Sequence, residues 1–172
     1  MNMKLHIALA VFILGMYAQL AFRQNSTDKE FVTKALISNQ FEIALVDYAT
    51  PRLSELAIKT YSKKVLDDHY EIYDELEAYA ISKQWTVPLA DSQAPQRMLD
   101  SLKNMSDESF DHMFLQLIID THQDAIRLFA ESLINDDISD VSLKQWISEQ
   151  LPSLRAHVAR ATDLSQKTKQ QS

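Results

Sequence analysis

Four ionisable side chains stand where apolar ones belong: Glu42, His69, His122 and His157. Each lies on a line of residues recurring at steps of three or four, the period of a helix face packed on a core. The clearest line runs through 56–83, as Ile58, Tyr61, Val65, His69, Ile72, Leu76 and Tyr79. A buried imidazole needs a partner for each ring nitrogen. Neutral imidazole and carboxylate are ligands for zinc, iron, manganese or copper, and the same groups also bond to one another. The pattern predicts one of two things: a closed metal centre of Glu42, His69, His122 and His157, or a buried polar network that fixes helix register.

Four helices are needed to carry these residues. The first is expected over Asp28 to Thr50, with N-cap candidates in Asn25–Asp28 and an inward line of Phe31, Ala35, Ser38, Glu42, Leu45 and Ala49. Pro51 stops it, and Ser54 with Glu55 restarts the chain as a capped first turn. The second helix fades near Lys83. Residues 84–95 (QWTVPLADSQAP) form the longest irregular stretch, followed by a short helical piece over 96–104. The third helix is expected over Glu108–Ile134, capped by Ser106 or Asp107, with Leu115, Ile118, His122, Ile126, Phe129 and Leu133 inward. The fourth runs from Val141 to Lys167 through Leu143, Trp146, Gln150, Leu154, His157, Ala161 and Leu164, with a kink or two abutting segments expected at Pro152. The reading is all-α: an up-down-up-down four-helix bundle over 28–167, ending in a polar tail at 168–172.

Depth links the four groups. The turns at 50–54 and 135–139 are placed at the same end, and the helix rise is about 1.5 Å per residue. Glu42 then lies about 15 Å down, His122 about 20 Å, His69 about 24 Å and His157 about 27 Å. Side chains lean toward their own helix N-terminus, which draws these values together.

Composition narrows the classes. The only glycine among the 172 residues is Gly15, in the N-terminal apolar segment, so glycine-rich phosphate loops are excluded from the remainder. A net charge of −7 with no basic stripe predicts no nucleic-acid partner. The absence of cysteine removes disulfides, thiolate sites and cysteine nucleophiles. Met1–Lys4 followed by the apolar run Leu5–Phe22 reads as a secretory leader or uncleaved anchor over 1–24. Export to the periplasm or outer envelope of a bacterium is expected, with membrane contact only through that segment. A two-iron carboxylate enzyme would need Glu-x-x-His pairs. The residues three before His69, His122 and His157 are Leu66, Ile119 and Leu154, which speaks against it. Any enzyme here would need an open coordination position or a substrate cavity, and the sequence exposes neither. Asp68 and Tyr73 are candidates to support the site from behind. Asp67 and Asp111 are expected in water, and Trp85, Val87 and Leu89 either pack over the bundle end or meet an envelope partner.

The segments FVTKALISNQFEIALVDYA, VLDDHYEIYDELEAYAISKQWTVP, FLQLIIDTHQDAIRLF and LPSLRAHVARA together resemble the bacterial domain-of-unknown-function family 4142, over Phe31–Leu164. The resemblance implies a ferritin-like bundle, usually exported and often labelled an outer-membrane protein. It carries the family's recurrent polar positions onto Glu42, Asp68, His69, His122 and His157. Ser38, Asn39 and Gln40 replace the small residues often found before the glutamate, and Thr121 replaces a common aspartate.

Overall fold

The computed structural model describes residues 27–86, 100, 102–103, 107–135 and 137–171. Within them the chain forms four long helices: α1 over 27–49, α2 Leu56–Ser82, α3 Asp107–Ile134 and α4 Val141–Gln171. Residues 100 and 102–103 are also helical, and no strand occurs among the described residues. The all-α four-helix bundle expected from periodicity is the observed fold. The 1–24 segment, Val87, Leu89 and Ser106 lie outside the described residues. Among the described residues no helix is long and apolar enough to cross a membrane.

The helix directions differ from the expected alternation. Asp28, at the start of α1, accepts hydrogen bonds from the backbone N–H and hydroxyl of Ser139 (both 2.7 Å) and from the N–H of Asp140 (3.2 Å). Lys83, just past α2, pairs with Asp140 at 2.6 Å. The start of α4 therefore sits beside the start of α1 and the end of α2. At the opposite end Asp111 of α3 accepts from Ser54 N (2.9 Å), Ser54 Oγ (2.7 Å) and Glu55 N (3.0 Å). Thus α2 and α3 run the same way, α1 and α4 the other, and the end of α2 and the start of α3 lie at opposite ends of the bundle. One long crossover is the connectivity of ferritin-like bundles. A two-proline connection of over twenty residues has the length to cross, and a short turn does not.

Those two aspartates correct two local expectations. Glu55, the N-cap of α2, makes no side-chain cap bond. Asp111 instead accepts from the two N–H groups just before the helix, those of Ser54 and Glu55, and is buried at 5% exposure rather than solvated. Asp28 likewise serves the segment before α4, whose own N-cap Asp140 accepts from Leu143 N at 3.1 Å. The end of α2 closes as a Schellman turn: Gln84 takes φ 58°, and Trp85 N and Gln84 N bond Ala80 O and Ile81 O. Trp85 packs edge-on against Tyr79, over the bundle end.

Helix α4 runs unbroken through Pro152, without two separate segments, and continues to Gln171. Pro152 and Ser148 both face solvent, so water can take the carbonyl that proline leaves unbonded. Buried Ile147, Leu151 and Leu154 hold both sides of it to the core. That core is two apolar clusters. One, around Leu45, Tyr61, Phe110, Phe114 and Leu164, fills the end clamped by Asp111. The other, around Phe31, Ile72, Phe129, Ile147 and Leu154, fills the end clamped by Asp28. Replacing Asp111 with alanine strands three donors at the start of α2. It is expected to lower the unfolding free energy by about 2–3 kcal/mol in urea titration. Asp163→Ala, on the exposed face of α4, should leave the transition almost unmoved.

Candidate metal centre

Between the two apolar clusters lies a seam of buried polar side chains: Asn39 and Glu42 from α1, His69 from α2, His122 from α3 and His157 from α4. All are 5% exposed or less. The observed helix directions explain why they meet. Measured from the Asp111 end at about 1.5 Å per residue, the three histidines fall about 17–22 Å along the bundle and Glu42 about 12 Å. The same-end assumption of the sequence reading is thus replaced by a crossover, and the histidines still converge. The backbone of Glu42 is the nearest of the four to the Asp111 end, and its side chain still reaches His122.

The three imidazoles gather around one point. His122 Nε2 lies 3.2 Å from His69 Nε2 and 3.0 Å from His157 Nδ1, and the three rings offer nitrogens all within 4.8 Å of one another. Their outer nitrogens are already committed. Asn39 donates Nδ2 to the His69 carbonyl at 2.7 Å, which turns its Oδ1 toward His69 Nδ1 at 2.6 Å. That oxygen can only accept, so His69 carries its proton on Nδ1. His122 Nδ1 faces the Ile118 carbonyl at 2.9 Å and must be the protonated nitrogen there. His157 Nε2 faces Asp68 Oδ2 at 2.9 Å, and that carboxylate is also paired with Lys64. The neutral ring therefore keeps its proton on Nε2. What remains pointing inward is three bare lone pairs.

Burial keeps the rings neutral. Desolvation pulls His69 down to about 3, with the nearby His157 adding to the shift. It holds His122 well below the ordinary imidazole value, reinforced by the other two histidines. Desolvation also lowers His157, against the opposing pull of Asp68. Neutral rings with bare nitrogens facing inward and N–H groups held from behind are the arrangement a transition ion requires. Two nitrogens about 2.1 Å from one ion, at angles between octahedral and tetrahedral, lie about 3.0–3.4 Å apart. The two separations made by His122, 3.2 and 3.0 Å, fall in that interval.

Glu42 occupies a different place from the one its spacing suggested. Its Oε1 is 3.7 Å from His122 Nδ1, the outer nitrogen, so it stands behind that ring. Neither carboxylate oxygen has a hydrogen-bond partner among the described residues. Desolvation pushes its pKa up to about 8. The nearby Thr121 hydroxyl opposes that shift but spends its proton on the Leu117 carbonyl at 2.8 Å. Beside Glu42 is a cavity of about 20 Å³ whose wall is mostly apolar, with Ile72, Phe129 and Leu154 alongside Asn39, His69 and His122.

Of the two flanking residues expected from sequence, Asp68 supports His157 directly. Tyr73 does not reach the site: one turn past His69, its hydroxyl donates to Glu77 at 2.9 Å on the outer face. The tyrosine that does touch the cluster is Tyr61, whose O–H donates to the His157 carbonyl at 2.9 Å. Asn39 was missed. The inward line of α1 was drawn through half-buried Ser38, whereas α1 buries a second line as well, through Val32, Leu36, Asn39 and Val46. The available signal was an amide one turn before Glu42, on a helix apolar over more than one line.

Fold and site define a class: a four-helix bundle with a histidine cluster built across its core. Residues 17–164 match the family described as a domain of unknown function, DUF4142, and the chain belongs to that family. No curated protein and no solved structure matches it.

The seam gives metal-free protein a definite pH response. Glu42 at about 8 lies above its ordinary 4.5, so unfolding releases its proton and stability falls as pH rises between those values. His69 at about 3 lies below 6.5, so stability falls as pH drops from 6.5 toward 3, and His122 and His157 act in the same sense. Three imidazoles outweigh one carboxyl below 6.5. The melting temperature should peak near pH 6.5 and decline on both sides, with Glu42→Gln removing the alkaline decline alone.

Proposed function

We propose that this protein is a metal-binding helical bundle that holds one first-row transition ion through His69 Nε2, His122 Nε2 and His157 Nδ1. The observation that carries the reading is the inward convergence of three nitrogens whose rings are all protonated on the opposite side. Imidazole donors suit zinc, iron, manganese or copper, and geometry alone does not choose among them. Asn39, Asp68 and the Ile118 carbonyl hold the rings from behind, and Glu42 stands beside His122 Nδ1 rather than serving as a direct ligand. The apolar run Leu5–Phe22 supports export, to the periplasm or outer envelope of a bacterium.

A second reading draws on the same distances. Separations of 3.0 and 3.2 Å also suit N–H···N bonds. A proton on His122 Nε2 would bridge to His69 and His157, making the cluster a polar core of an envelope structural or interaction module. It would bare His122 Nδ1 against the Ile118 carbonyl, or require an imidazolium balanced by Glu42 at 3.7 Å.

Protein purified without an affinity tag is expected to contain stoichiometric metal. After metal removal, zinc should raise the melting temperature of the wild type. His157→Ala should abolish that rise, and Asn39→Ala should weaken zinc binding about 10–100-fold while leaving the three ligands in place. Equal destabilisation of the metal-free and zinc-treated forms by His157→Ala would favour the polar core.

A further inference from the structure

Among the described residues, the ligand atoms within 4.8 Å of one another come from His69, His122 and His157, with no carboxylate oxygen in the set. Asp68 and Glu42 face outer nitrogens, of His157 and His122 respectively, and the Asp68 carboxylate is already paired with Lys64. The cavity beside Glu42 does not open onto the focus of the nitrogens. Its wall is mostly apolar and includes His69 and His122 but not His157. Nor are the rings evenly spaced. The centroids of His69 and His157 stand 5.9 Å apart, against 5.1 Å from each to His122, so the set opens on the side away from His122. A tetrahedral zinc site would rest on an even tripod and take a fourth ligand.

These features select an ion by coordination number and by charge. The ion must be complete with three ligands, and it enters a dry seam whose three donors are neutral. Desolvation rises with the square of the charge, so a divalent ion costs about four times as much as a monovalent one of the same size. Copper(II) prefers a tetragonal set, and zinc a tetrahedral one. Copper(I) is monovalent and, with a filled d shell, is complete with three ligands in a planar or T-shaped set. Imidazole is an ordinary copper ligand, and the sulfur donors that also favour copper(I) are not needed where charge and coordination number already choose. Resting on the metal reading, we propose that the centre is a copper(I) site, three-coordinate through His69, His122 and His157, with zinc a weaker occupant.

The test titrates metal-free protein without air, with copper(I) kept reduced by ascorbate and competed against bicinchoninate, and separately with zinc against a chromophoric chelator. Copper(I) is expected to bind at one per chain and at least about a hundredfold more tightly than zinc. X-ray absorption of the copper-loaded protein is expected to show a three-coordinate copper(I) edge and three imidazole nitrogens. The other two histidines, His6 and His112, cannot between them supply that shell. A smaller preference, or a preference for zinc, overturns this inference and leaves the metal centre standing. A copper shell with a fourth ligand, or with fewer than three imidazoles, also overturns it. Failure to bind either ion overturns both readings.

Discussion

Three imidazole lone pairs pointed at one another in a dry seam is the constraint on which the rest of the bundle depends. A buried polar group left without a partner costs about 1–3 kcal/mol, and here the outer nitrogens are satisfied at the expense of the inner ones. Asn39, Ile118 and Asp68 each take one ring proton, from α1, α3 and α2 respectively. Tautomers fixed from behind cannot relieve the repulsion in front without breaking one of those bonds. A cation at the focus relieves it without breaking any of them. The apolar clusters above and below keep bulk water from doing so.

Register then becomes the requirement. A slide of one helix by a single turn would move its histidine about 5.4 Å and open the cluster. Two buried aspartates act against such a slide, one at each end. Asp28 ties α1 to the segment before α4, and Asp111 ties α3 to the segment before α2. Each joins parallel helices that share no short turn, so the clamps constrain pairs that the connections leave free. The short turn between α1 and α2 and the segment before α4 fix the antiparallel pairs. Together these contacts bring side chains from four helices to one level.

Much of this was legible in the sequence. Periodicity of three and four identified the helices and placed Glu42, His69, His122 and His157 on buried faces, because burial of an apolar stripe is a local property of a helix. Direction was not legible. Whether residues 84–106 turn back or cross the bundle depends on tertiary contacts of Asp28, Asp111 and Lys83, which have no local signature. Depth was therefore measured from the wrong end for half the bundle. Asn39 was lost because a single line was drawn on a helix that buries two. Tyr73 was placed near His69 by its one-turn spacing, and the roll of α2 instead turned it toward Glu77. Asp111 was taken for solvated because an aspartate near a helix start looks the same whether it caps its own helix or another.

The central claim concerns which nitrogens are bare, and histidine-ring nitrogen NMR of metal-free protein, followed through a zinc titration, reads this directly. The account predicts protons on Nδ1 of His69, Nδ1 of His122 and Nε2 of His157. It further predicts that the opposite nitrogen of each ring shifts together, saturating at one zinc per chain. A proton on His122 Nε2 in the metal-free protein, with ring signals indifferent to zinc, would contradict it.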